Sequence, residues 1–206
     1  MQLPDEELAQ RWKSGDLSAF ETLFHRYERR VLNVALRMIG SLDDAEDVKQ
    51  ETFFRAHKSI SGFRGGKFST WLFKIAANQC LDRARRKSSK TASIDELVEQ
   101  SDWQGMEDEQ ADPVTILIRN EFSNQVRKVL ETIPPHYRII LVLKHIDGMP
   151  YEQIASVVGC SVRSLGVRLY RAREIFRERM RPFLDQNGGI TLDEMQQRKI
   201  SDFPAL

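Results

Sequence analysis

The chain has 206 residues, 41% hydrophobic and 30% charged, and its 31 Lys and Arg nearly balance 30 Asp and Glu, for a formal net charge of +1 at pH 7. Heavy use of charge with few Gly and Pro favours helices, and no strand-like alternation is present, so the fold class expected is all-α. No run approaches the roughly eighteen apolar residues of a membrane helix and the N-terminus lacks a charged-then-apolar leader, so no membrane insertion and a cytoplasmic location are expected.

In chain order, the first helical pattern is opened by Asp16 or Ser18 and carries Phe20, Leu23, Phe24, Tyr27, Val31, Leu32, Ala35, Leu36 and Ile39 on one apolar face. Gly40 ends it, and Asp43 with Glu46 three residues later resembles a capping box for the next helix. There Ala45, Val48, Thr52 and Ala56 face inward, while Asp44, Asp47, Gln50 and Glu51 project outward as an acidic and amide patch. By itself such a patch reads as a solvated face. A third segment begins with the Gly-rich basic loop Phe63, Arg64, Gly65, Gly66, Lys67 and runs through Trp71 and Asn78 into a basic cluster, Arg83, Arg85, Arg86, Lys87 and Lys90. Aromatic rings beside positive charges are what a protein needs to hold unstacked bases.

The next stretch, residues 91–113, holds eight acids and no base. Its low apolar content argues against a core and its self-repulsion favours an extended linker between two small helical domains, 1–90 and 114–185. It discourages unspecific docking on DNA, lies in a basic channel of a partner, or is a solvated tether; the sequence leaves these open.

The second domain reads as a helix-turn-helix. Tyr151 starts a helix with Ile154, Ala155 and Val158 on one face, Gly159 ends it and Ser161 caps the next. Val162, Leu165, Leu169 and Phe176 then recur near helical spacing among seven arginines, from Arg163 to Arg181, against only Glu174 and Glu178. Such a helix suits the phosphate-lined major groove of DNA. Cys80 and Cys160 are far apart and without His or Cys at ligand spacing, so neither zinc nor a disulfide is expected; both read as structural, with Cys160 in the turn exposed enough to oxidise. His25, His57, His136 and His145 are scattered, and no nucleotide-binding glycine pattern occurs, so no enzyme, metal or cofactor is expected.

Four strings occur in a telling order: DAEDVKQETF from Asp44, FRG from Phe63, FSTWLFKIA from Phe68, and YEQIA from Tyr151 followed by RLYRAR from Arg168. Together they resemble bacterial RNA polymerase sigma factors of the extracytoplasmic-function group, within the sigma-70 family. The resemblance implies a dissociable specificity subunit with a sigma-2-like bundle and a sigma-4-like helix-turn-helix. Its partners would be core RNA polymerase, through the clamp helices of the largest subunit and the flap, promoter DNA, and an anti-sigma factor. It assigns Asp44, Asp47, Gln50 and Glu51 to polymerase docking. To the minus-ten element it assigns Phe63, Arg64, Lys67, Asn78, Arg83, Arg85 and Arg86, with Phe63 and Asn78 forming a pocket for a flipped base. Tyr151, Arg163, Ser164, Gly166, Val167, Arg168, Arg171 and Arg173 fall to the minus-thirty-five element. Trp71 reads as core packing. A glycine within a helix costs about 1 kcal/mol relative to alanine, and Gly166 reflects either close approach to DNA or drift. Residues 186–206 extend beyond the resemblance; Gly188 and Gly189 make a hinge, Thr191 and Glu194 can cap a short helix, and Ile190, Leu192, Met195, Ile200 and Phe203 are apolar enough for docking.

Overall fold

The computed structural model describes the backbone of residues 3–90 and 113–186, with side chains over 3–87 and 122–185. The expected acidic linker and the docking tail lie outside the described residues. Those residues form eight α-helices and no strand: α1 (Asp5–Lys13), α2 (Leu17–Ile39), α3 (Leu42–Ser59), α4 (Phe68–Lys90), α5 (Pro113–Thr132), α6 (Pro135–His145), α7 (Tyr151–Val158) and α8 (Val162–Gln186).

Local chemistry sets the helix ends. Asp16 caps α2 by accepting from the Ser18 and Ala19 N–H groups, and Gly40 closes it with φ of 84°, a left-handed conformation that side chains resist. The capping box expected at Asp43 is replaced by an earlier cap: Ser41 accepts from the Asp44 N–H, so α3 begins at Leu42. Helix α1 was not anticipated. It has no capping side chain, but three acids occupy its first turn and Arg11 and Lys13 its last, as the helix dipole favours. Its buried Leu8, Ala9 and Trp12 fix it to α2, with the Trp12 and Phe20 rings 4.8 Å apart.

Helices α1 to α4 form one bundle around Leu23, Tyr27, Phe68, Leu72 and Phe73. Helices α5 to α8 form the second, built on Ile139, Val142, Leu143, Ile154, Leu165 and Leu169. In the helix-turn-helix, Val157 rather than Val158 points fully inward, and Ala172 and Met180 take the deep positions expected of Phe176. The bundles then pack together, α2 against α5 and α6 and α4 against α6 and α7, so that one core is continuous through both. Polar contacts reinforce this seam. The Arg138 guanidinium, nearly buried, donates to the Met38 carbonyl in the last turn of α2 and to the Glu131 and Ile133 carbonyls at the end of α5. One side chain thus satisfies the orphan carbonyls of two helix ends. Arg30 on α2 donates in bidentate fashion to Asp147 after α6, at 3.0 and 2.9 Å.

Candidate nucleic-acid interface

Helix α3 carries the expected docking patch. With Ala45, Val48, Thr52 and Ala56 buried, helical spacing turns Asp47 and Gln50 to solvent and leaves Asp44 and Glu51 partly exposed. Glu51 pairs with Arg55 one turn on. Asp44 and Asp47 both pair with Arg83 of α4, the latter at 3.3 Å. The Asp44 hydrogen bond foremost, helped by the attraction of both carboxylates, holds the Arg83 pKa above its ordinary value although partial burial opposes it. Arg83 therefore belongs to the α3 patch here and not to the basic face where it was expected.

The loop between α3 and α4 turns on Gly65 and Gly66, with φ of 94° and 82°, which exposes Arg64 and Lys67. Phe63 departs from the expected base-facing ring: it is 1% exposed, wedged between Trp71 at 5.5 Å and Phe68 at 6.1 Å. Trp71 is partly buried against the core, in keeping with a packing role. Two contacts from α1 hold the loop, Lys13 Nζ donating to the Phe63 carbonyl at 2.8 Å and Glu6 facing Lys67 Nζ at 3.6 Å. Between the end of α3 and the middle of α4 an open cleft of about 750 Å³ is lined by Asn78 and Arg85 together with Arg55, Lys58, Ser59, Gln79 and Asp82, the last paired with Arg85 at 2.6 Å. Sequence reasoning missed Arg55, Lys58 and Ser59; the signal was their spacing on α3 beyond Glu51, one and two turns past the patch.

On α8, burial of Leu165, Leu169 and Ala172 turns Arg163, Val167, Arg168 and Arg171 outward. Ser161 Oγ accepts the Ser164 N–H at 3.1 Å, capping the helix as expected. Gly166 is partly exposed, and a Cβ built on it would meet nothing within 4 Å, so no protein packing demands glycine there. Tyr170, also missed, is 65% exposed and lies three residues after Val167, on the same outer side. Tyr151 opens α7 half-buried, with Lys144 Nζ 4.9 Å from its ring centre. Arg173 turns away from the outer face, its guanidinium 3.4 Å from His145 Nε2. Burial first, then the charges of Arg173 and Lys144, push the His145 pKa down to about 4. Burial pushes the Cys80 thiol up to about 12, making it an inert core residue, while Cys160 is partly exposed. Among the described residues no group of His, Cys, Asp and Glu could hold a metal ion, and no helix is long and apolar enough to cross a membrane.

The sequence matches two family models, Sigma-70 region 2 over residues 23–90 and Sigma-70 region 4 over residues 123–175. It is 31% identical over 187 residues to the ECF RNA polymerase sigma-E factor of Salmonella typhimurium, covering 89% of this chain and 97% of that protein. This chain is an extracytoplasmic-function sigma factor. The sigma-E factor of Escherichia coli K12 matches to the same extent, and the RNA polymerase sigma-H factor of Pseudomonas aeruginosa is 29% identical over 87% of this chain and 95% of that protein. The sigma fold is shared with CnrH, solved in complex with the cytosolic domain of CnrY, at a TM-score of 0.64 and 24% identity, covering 89% of this chain and 99% of that one. It is shared also with RpoE of Bartonella quintana, solved with the anti-sigma factor NepR, at 0.61 and 21%, covering 79% and 96%. As a sigma factor the protein serves RNA polymerase in transcription initiation and is not itself an enzyme. Its α1 lies ahead of the region 2 match.

Proposed function

We propose that this sigma factor docks on core polymerase through the α3 patch of Asp44, Asp47, Gln50 and Glu51, opens the minus-ten element with the loop and the α4 cleft, and reads the minus-thirty-five element with α8. The observation that carries this reading is the outer side of α8. A Ser-capped helix start, three exposed arginines and Val167 lie together on a helix whose other side is packed core, the arrangement that suits major-groove reading. Arg64, Lys67, Asn78, Arg85 and Arg86 supply the minus-ten surface, and buried Phe63 supports its loop from below. Tyr151 and Ser164 flank the upstream surface, and Arg173 steadies α8 through His145. Strand opening needs no chemical step, because captured bases and polymerase contacts offset the few kcal/mol of unstacking by analogy with base flipping.

Two elements about 25 base pairs apart are separated by roughly 85 Å of B-form duplex. Domains in side-chain contact cannot span that, so the packed arrangement is the polymerase-free form and the seam opens on assembly. The 22 residues from 91 to 112 reach about 75 Å when fully extended, a tether of suitable length. An anti-sigma factor, the kind of partner with which the Bartonella structure was solved, would act by holding the closed form. Reversing charge tests the docking half directly. Asp47→Arg and Glu51→Lys should abolish co-purification with core polymerase with helicity intact, and retention of polymerase by both variants overturns the assignment.

A further inference from the structure

Arg83 is the point where the two halves of region 2 meet. Its guanidinium donates to Asp44 Oδ1 and to Asp47 Oδ2, two carboxylates one turn apart on the face of α3 assigned to polymerase. Its backbone belongs to α4, the helix that carries Asn78 and Arg85 into the cleft assigned to DNA. Gln79, one turn before Arg83, lines that cleft, and Arg86 follows one turn after. The Arg83 side chain is 39% exposed and Asp47 is 65% exposed, so the pair sits at the surface and can be exchanged.

We propose that Arg83 is a positioning residue that changes partners: Asp44 and Asp47 hold it in the free protein, and polymerase, by taking those carboxylates, releases it to a phosphate of the opening strand. The inference rests on the docking reading of the α3 patch. A cation of polymerase and the Arg83 guanidinium need the same carboxylate lone pairs, so each weakens the hold of the other. Once displaced, Arg83 is an uncompensated cation on a DNA-facing helix, and a phosphate is the partner that restores its balance. Because the coupling is reciprocal, DNA that captures Arg83 leaves the acids free and strengthens the grip on polymerase. The residue thereby makes DNA affinity depend on docking, with no change of fold.

The exchange predicts opposite effects on the two partners, which a merely structural salt bridge does not. Full-length Arg83→Ala should bind core polymerase about two- to five-fold more tightly, the range of an exposed ion pair removed from competition. The holoenzyme carrying it, titrated against a promoter fragment recovered by run-off transcription, should show a slope of log affinity against log salt smaller by about 0.7 to 0.9, one phosphate contact. Arg83→Lys keeps the charge and should return the slope to the wild-type value. Core affinity that is unchanged or weaker in Arg83→Ala, or a salt slope that stays at the wild-type value, overturns the proposal. Asp47→Arg run alongside separates the two levels of argument. If it leaves polymerase binding intact, the docking reading fails and the exchange with it; if it abolishes binding while Arg83→Ala gains nothing, only the exchange is refuted.

Discussion

Replacing Arg30 by Ala should open the seam between the two domains. Arg30 Nε and Nη2 hold both oxygens of Asp147, whose side chain is 3% exposed against 43% for Arg30. The guanidinium also lies over the rings of Tyr27 at 4.9 Å and Phe73 at 5.3 Å. Stranding a charge within a fully buried pair costs about 3 to 5 kcal/mol, but the Arg30 side of this pair is open to water, and about 1 to 3 kcal/mol is the appropriate range for a charge-assisted contact of this kind. Asp147 belongs to the second domain and Arg30 to the first, so moving the domains apart rehydrates the carboxylate without unfolding either. The closed-to-open ratio should therefore fall about 5- to 150-fold. Small-angle scattering of the full chain reads this as a larger radius of gyration, with helicity unchanged. Burial raises the Asp147 carboxyl above its ordinary value even with Arg30 opposing it. A raised acid favours the buried state at low pH and loses that contribution as pH rises through the closed-state value, so acidifying Arg30→Ala should partly restore closure. A radius of gyration equal to wild type, together with a lower cooperative melting point, would refute the reasoning and make the pair ordinary core.

Phe63→Ala should destabilise region 2 by about 3 to 5 kcal/mol, as expected for emptying a buried aromatic site, whereas exposed Asn78→Ala should stay within about 0.5 kcal/mol yet impair permanganate-detected opening of duplex promoters far more than use of a premelted template; equal defects on both templates would assign Asn78 to packing. The His145 imidazole, held at about 4 in the fold against about 6.5 unfolded, gives stability that is complete above pH 6.5 and is lost as pH falls towards 4, up to about 3 kcal/mol in all. His145→Gln should flatten that part of the urea-denaturation profile, and an unchanged slope would contradict the burial argument. Gly166→Ala should stabilise the protein by about 0.5 to 1 kcal/mol, since the site is open. Reduced promoter affinity in the same variant identifies close approach to DNA as the reason for glycine, and unchanged affinity identifies drift.

Most of the helical order is written in local chemistry. Asp16, Gly40, Gly159 and Ser161 each act at the helix end where turn residues predict it, and the inward set of α3 follows from 3.6-residue spacing alone. Helix α1 escaped because only Leu8, Ala9 and Trp12 mark its buried side and Pro4 offers no capping side chain; the acidic first turn and basic last turn were the available signal. The candidate surfaces were legible as charge and aromatic pattern, but not the pairing within them. Arg83 and Asp44 are 39 residues apart, and Arg30 and Asp147 are 117 apart. No periodicity links such positions, and only packing decides which cation meets which acid. Phe63 shows the same limit, since an aromatic beside a basic loop serves base capture or core equally well until the rings around it are known.

The central claim is that this chain directs core polymerase to promoters, and run-off transcription on genomic fragments with mapped start sites tests it most directly. Initiation at discrete sites should require both core polymerase and this chain, should vanish with Asp47→Arg, and should align on two upstream elements at constant spacing. No initiation above core polymerase alone, with tight binding of the isolated chain to duplex DNA, would contradict the account and identify a stand-alone helix-turn-helix regulator.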